Sequence, residues 1–434
     1  MSETPTGKHP ELLDDGAPIG KNLALATWGL FVGLALLLFA AGLFGALLGV
    51  RSELAGLPTL VSSVISAAYY LGFLVGSRFA LSALTKVGHI RAYTALASWL
   101  AVAMLGVGMT QSSAAWGALR FLTGLCLAGQ YVVAESWLND LADNSTRGRI
   151  LAIYNVVTIA AFGTGQVILF ALDARLITGF AIASIVTSLA IAPVALSEHA
   201  VVPSAADRSH VSLRELAKIV PTGVGSCFLV GVAHGALSGM AAVFATRVGL
   251  PRGQVGLFLA APSIGGVVLQ WPISAASDDV DRRAVGALAA IGAMVCSALL
   301  LLGPATSIMA IFLIGCVGAC SYPLYSVAGA YTNDWIEPEH VNAAASQLVT
   351  LYGIGAVIGP LAAAASMEAF GDFGFYWALV GLHLAIALFF IYRMRVWRAP
   401  LTKKPWSEAS LPARAFFLPA TIVGFSRRRR RNPR

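Results

Sequence analysis

Arg120 and Glu135 stand inside one apolar run, RFLTGLCLAGQYVVAESWLNDL, that carries no other charge before Asp140. On a helix their spacing places them about 60° apart around the axis and about 22 Å apart along it. Thr123, Leu127, Tyr131 and Leu138 fall on the same face, so the stripe has a cation near one end, a phenol in the middle and an acid toward the other. A charge at bilayer depth costs roughly 2.5 to 3.5 kcal/mol on insertion scales, so one that persists faces a wet cavity or a partner. The chemistry this permits is capture of an anionic group by Arg120, and uptake and release of a proton by Glu135. The plainer alternative is that Glu135 pairs with Arg78 or Arg147 and only holds helices together.

Other polar groups lie within apolar runs. His234 and His383 could relay protons, since imidazole titrates near neutral pH. Ser238, one turn on, gives His234 a polar face, whereas the neighbours of His383 are apolar and favour a satisfied core histidine. Tyr69, Tyr70, Tyr154, Asn155, Tyr322, Tyr325, Ser326, Gln347 and Tyr352 could orient a small ligand, or could bond neighbouring helices to one another. Of these, Asn155, Tyr325 and Gln347 join Arg120, Tyr131, Glu135 and His234 as the candidates for substrate and proton coupling. The five cysteines lack metal-ligand spacing, and there is no HExxH run, GxSxG elbow or paired intramembrane carboxylate. No metal, cofactor or enzymatic activity is expected.

These side chains need elements to hold them, and composition says which. Hydrophobic residues make up 57% of 434 and charged residues 12%, with a mean hydropathy of +0.77. A chain of this kind is an integral membrane protein. At about 20 residues per span, it has room for about twelve transmembrane helices. The runs predict spans near 23–49, 59–81, 91–111, 114–138, 149–171 and 176–196, then 220–245, 254–276, 284–303, 308–331, 343–366 and 374–395. The first run lacks a small-residue cleavage site and is expected to be retained. The expected organisation is a tail at 1–22, a six-helix bundle at 23–196, a polar linker at 197–219 that ends in a short amphipathic piece from Leu213 to Ile219, a second bundle at 220–397 and a basic tail at 398–434. Trp271-Pro272 in the eighth run is expected to be a kink and packing feature. Lys and Arg crowd alternate connections, which predicts that both tails and the linker are cytoplasmic. The net charge of +8 is then topology rather than nucleic-acid affinity. The five arginines from Arg427 to Arg431 suit anionic lipid.

The halves repeat. Asn139-Asp140 recurs as Asn333-Asp334 and Gly165 as Gly359, both at an offset of 194 residues. The same offset sets LTKVGHIR, from Leu84, against DDVDRRAV, from Asp278. Parallel repeats of this type place binding sites at mid-membrane between the halves.

Residues 23 to 397 resemble the major facilitator superfamily. The loop from Gly76-Ser77-Arg78 to Val87-Gly88-His89-Ile90-Arg91 is similar to the family's first cytoplasmic signature, with Leu84 at the position of its acid. The second-half copy, Ser277-Asp278-Asp279-Val280-Asp281-Arg282-Arg283, keeps the acid. The resemblance therefore implies that the cytoplasmic lock sits mainly in the second half. Gly76, Gly88, Arg91, Asp140, Arg147, Asp278, Arg282, Arg283 and Asp334 are its expected gating elements. Arg120-Phe121-Leu122-Thr123-Gly124 resembles the signature whose arginine is implicated in proton coupling or substrate binding. Gly165 and Gln166 stand where proton-driven drug exporters carry Gly-Pro, and that pair appears instead as Gly359-Pro360; all four are expected at helix-packing positions.

The resemblance implies an all-α fold of twelve transmembrane helices in two six-helix pseudo-symmetric bundles. It also implies a proton-coupled secondary transporter of a small molecule, working by alternating access in a bacterial inner membrane as a monomer. An efflux antiporter is the alternative, and Gln166 weighs against it. A non-transporting membrane sensor is a more distant one.

Overall fold

The computed structural model describes residues 19–141, 147–197, 211–337 and 340–396. The expectations for residues 1–18, the middle of the linker, the tail with its arginine run, and the side chains of Asp140 and Arg147 fall outside that description. The described residues form helices α1 (Ile19–Leu54), α2 (Thr59–Val87), α3 (His89–Met109), α4 (Ser113–Leu141), α5 (Arg147–Val167), α6 (Thr178–Leu189), α7 (Ile191–Ala195), α8 (Leu213–Ile219), α9 (Pro221–Arg247), α10 (Arg252–Asp279), α11 (Arg282–Leu299), α12 (Ile308–Ser321), α13 (Pro323–Asn333), α14 (Val341–Phe370) and α15 (Gly374–Val396). Among the described residues twelve spans are long and apolar enough to cross a membrane. α6 and α7 together make the sixth, and α12 and α13 the tenth. The chain is a multi-pass membrane protein.

Helices form because a chain in hydrocarbon must satisfy its backbone within each segment. Which face turns inward is then a question of packing. Large apolar residues such as Trp99, Leu288 and Phe312 are well exposed on the outer surface, where lipid replaces water as their neighbour. Leu34, Tyr93, Trp137, Phe244 and Phe258 are buried.

The two halves pack alike. Span one lies on five and two on four; in the second half seven lies on eleven and eight on ten. Small residues permit the close approach. Gly165 meets the carbonyl of Phe39 and its repeat Gly359 meets that of Val232. Gly124 meets the carbonyl of Tyr69 and Gly318, offset by the same number of positions, meets that of Pro262. A Cβ at any of the four would strike backbone, so the repeat in sequence is a repeat in helix contact. Between halves, spans two and eleven, five and eight, and one and seven meet. The hydroxyl of Ser66 donates to the Gly239 carbonyl at 2.8 Å across that seam.

Three segments differ from the continuous helices the hydropathy predicts, and in span six the break falls at Ala190, between α6 and α7. Span five ends in a 3-10 turn, Ile168–Ala171. Span ten breaks at Tyr322, ahead of Pro323, which has no N–H to continue the ladder. Pro262, Pro272 and Pro360 sit inside unbroken helices, so proline alone does not explain the break. At Ser321 side chains take over backbone duties, as described below. Trp271 points outward, half-exposed.

Candidate functional site

Spans one, two, four and five from the first half and seven, eight and ten from the second enclose a central cavity. Arg120 enters it from span four. Its guanidinium carbon lies 4.3 Å from the ring centre of Tyr69 and 5.4 Å from that of Phe44. Among the described residues no carboxylate pairs with it. Two cation–π contacts at about 0.5 to 2 kcal/mol each offset part of the cost of holding the charge there. What remains is a cation held against two aromatic rings that still lines the cavity. Gly45 lines the cavity beside it, where a Cβ would be in ordinary contact, 3.7 Å from Nη2 of Arg120.

Tyr131, further along span four, also lines the cavity and packs on Phe73 at 6.1 Å between centroids. Tyr70, Thr158 and Gln166 complete the first-half wall, while Ser238, Ser263 and Tyr322 supply hydroxyls from the second. Ser238 and Tyr322 are 3.4 Å apart through their hydroxyls. Gln166, expected only at a packing position, therefore also reaches the cavity; its backbone carbonyl lies against Gly256 of span eight. Pro360 packs on Gly239.

The remaining candidates lie away from the cavity lining. Glu135 is buried one turn beyond Tyr131; its face is shared with Arg120, but the rise of the helix carries it past the cavity. Asn155 is buried in span five. Tyr325 is buried against Tyr352, 5.3 Å between ring centres. Gln347 donates to the Val211 carbonyl at 3.1 Å and ties span eleven to the segment ahead of α8.

His234 stands directly behind the cavity wall, its ring 4.8 Å from that of Tyr322. It belongs to a hydrogen-bonded chain whose direction the carbonyls fix. Nε2 lies 3.1 Å from the Ser321 carbonyl, which can only accept, so Nε2 carries the proton. Nδ1 then accepts from the Tyr352 hydroxyl at 3.3 Å. On the far side His383 donates from Nδ1 to the Leu379 carbonyl at 2.7 Å and accepts from the Ser321 hydroxyl at Nε2, also at 2.7 Å. Four spans are thus joined at the break in span ten. On its own helix His383 has only apolar neighbours, and its polar partner, Ser321, comes from 62 residues away, so no local signal identified that partner.

The two ends of the bundle are charged differently. At the terminal end, where span one starts and span twelve leaves, Arg282 is 1% exposed and bonds Asp334 through Nε at 2.8 Å, Asp278 through Nη1 at 2.9 Å and the Ser277 hydroxyl at 2.9 Å. Arg283 bonds Asp281 at 2.8 Å and donates to the Arg393 carbonyl at 3.1 Å. All these contacts stay inside the second half. In the first half Leu84 is fully buried where that cluster has its acid. Gly76 packs on the Leu125 carbonyl, and Gly88, at φ 82°, makes the tight link from α2 to α3 beside an exposed Arg91. Across the halves at this end, Arg78 reaches the Thr350 hydroxyl at 3.4 Å.

At the opposite end the ion pairs cross. Arg247 of span seven grips Glu53 of span one with both prongs, at 2.9 and 2.7 Å, and the Thr59 hydroxyl at 3.0 Å. Arg252 bonds Asp173 at 2.9 Å, and Asp173 also accepts from the Arg175 backbone N–H at 2.9 Å. That N–H first, and Arg252 second, hold the Asp173 carboxyl below the usual carboxylate range. Sequence reading missed both pairs. A signal for the first existed, because Glu53 and Arg247 are themselves 194 residues apart and so are repeat equivalents that meet near the axis relating the halves.

A sequence profile described as Major Facilitator Superfamily matches residues 222–433. The chain is 26% identical over 351 residues to an uncharacterized MFS-type transporter, YcaD, of Salmonella arizonae, covering 79% of this chain and 89% of that protein. The YcaD of Escherichia coli O45:K1 is 26% identical over 378 residues, 87% of this chain and 96% of its own. Among solved structures, the nucleoside transporter NupG superposes with a TM-score of 0.69 at 10% identity, covering 85% of this chain and 99% of that one. A bacterial homologue of the human lysosomal transporter Spinster, in an inward-facing and occupied conformation, gives 0.65 at 14% identity over 88% of this chain and 98% of that chain.

Proposed function

We propose that this chain, which belongs to the major facilitator superfamily, is a proton-coupled secondary transporter of a small molecule. The observation that carries the reading is the cavity itself: both halves wall it, and Arg120 stands in it without a described acidic partner. A site shared by two rocking halves binds from one side of the membrane and releases to the other. The bundles span 23–196 and 220–397, joined by the linker at 197–219, with the terminal end cytoplasmic in a bacterial inner membrane. With Glu53–Arg247 and Asp173–Arg252 closed, the conformation is shut at the extracytoplasmic end.

Arg120 anchors substrate, and Tyr131 and Tyr322 close on it from opposite halves. Glu135 exchanges the proton. It lies one turn from Tyr131, on the cytoplasmic side of the cavity, so its carboxyl samples a different water phase as the halves move. The test is reconstitution into proteoliposomes. An imposed pH gradient drives solute uptake by the native protein, whereas Glu135→Gln abolishes gradient-driven uptake and leaves solute exchange intact. Loss of both activities assigns Glu135 a structural role, and proton flux coupled to no solute across a broad panel overturns the transport reading.

A further inference from the structure

Resting on that reading, we infer that the substrate class is an organic monocarboxylate with a flat apolar body, its carboxylate on Arg120 and its body among the tyrosines of the cavity. Three features converge on it. Among the described residues that line the cavity Arg120 is the only formally charged one, so a cationic solute meets repulsion without compensation. One guanidinium presents a planar fork that matches one carboxylate, and a second negative charge on the same solute would find no cation. The walls are aromatic on both sides. Tyr69 and Tyr70 pack edge to face at 5.2 Å, Tyr131 stands on the same half and Tyr322 faces them from the other. Rings in such numbers favour a flat body that packs on them, while the hydroxyls of Thr158, Ser238 and Ser263 and the Gln166 amide serve its further polar atoms.

The experiment uses the full chain, purified and reconstituted, with benzoate as probe and benzylamine and benzyl alcohol as its near-isosteres of similar size, one cationic and one neutral. Binding is read by calorimetry and by thermal shift. Benzoate binds and raises the apparent stability, and neither isostere does so at equal concentration. Arg120→Lys keeps the charge but loses the fork, and weakens benzoate by about tenfold or more, the worth of one charge-assisted contact. Gly45→Val adds bulk to the cavity beside Nη2 of Arg120 without touching the charge and weakens benzoate likewise, which keeps the test available should Arg120 variants fail to fold. Equal binding of benzylamine, or benzoate affinity unchanged in both variants, overturns the inference. Uptake tells the two readings apart. Gradient-driven transport of a neutral or cationic solute with no carboxylate response leaves the transporter standing and removes this substrate class. Benzoate binding without transport of any solute upholds the site and removes the transporter.

Discussion

The charges at the two ends of the bundle use the same residue types in opposite ways. At the terminal end Arg282 is enclosed, and its partners Asp334 and Asp278 belong to its own half. At the other end Arg247 is 22% exposed, and its main partner Glu53, at 19%, belongs to the opposite half. Under the proposed rocking of the halves, a pair enclosed within one of them is made in every conformation and cannot distinguish them. A pair across the seam is made in only one, and its partial exposure lets water take over when it breaks. The resemblance in sequence points to the first cluster as the lock, while the crossing ion pairs lie at the end where sequence showed only scattered charges.

The largest effect is expected at the enclosed cluster. Arg282→Ala removes a buried guanidinium from a buried carboxylate and costs about 3 to 5 kcal/mol, read as a fall in melting temperature. The balance between the two open states stays as it was. A changed balance with intact stability would make this cluster a gate after all. Reversing Arg247 to Glu should do the opposite. Opposed to Glu53 it opens the end where the pairs cross, by about 1.5 to 3 kcal/mol for the lost charge-assisted bonds. Spin-label distances across that end report the change, and adding Glu53→Arg restores the closed distance. Failure of the double variant to restore it would reduce the pair to a surface contact.

The smallest effect belongs to Asp173 and Arg252. Their side chains are 28% and 54% exposed, so the pair contributes about 1 kcal/mol or less and weakens with salt. The sign with pH follows from the depressed carboxyl. The contribution is complete above the ordinary aspartate value near 3.9 and fades as pH falls through the lower folded value. The distance across that end in Asp173→Asn should therefore match native protein at acid pH and exceed it slightly at neutral pH and low salt. A difference that persists in molar salt would require another cause.

Arg120 and Tyr131 show how much of the site was open to sequence reading. Their common helical face follows from spacing alone, and both reach the cavity. Glu135 shares the face and does not reach it, because angular position is set by residue count whereas depth relative to a cavity depends on where the facing helices diverge. The cage around Arg120 was hidden for a related reason: Phe44 and Tyr69 come from two other spans. His383 needed Ser321 from span ten, and the break that presents Ser321 is one that three other intrahelical prolines do not produce.

Sequence alone determined that the chain is helical and membrane-embedded, where its spans lie, and that its halves repeat. Each follows from local terms: apolar length against bilayer thickness, and small residues recurring at one offset. Tertiary structure alone decided which charges cross the seam, which polar groups share a cavity and which tautomers the buried histidines hold. Those depend on the relative placement of two bundles, and the free energy that sets it comes from contacts between residues far apart in the chain, which no local pattern records.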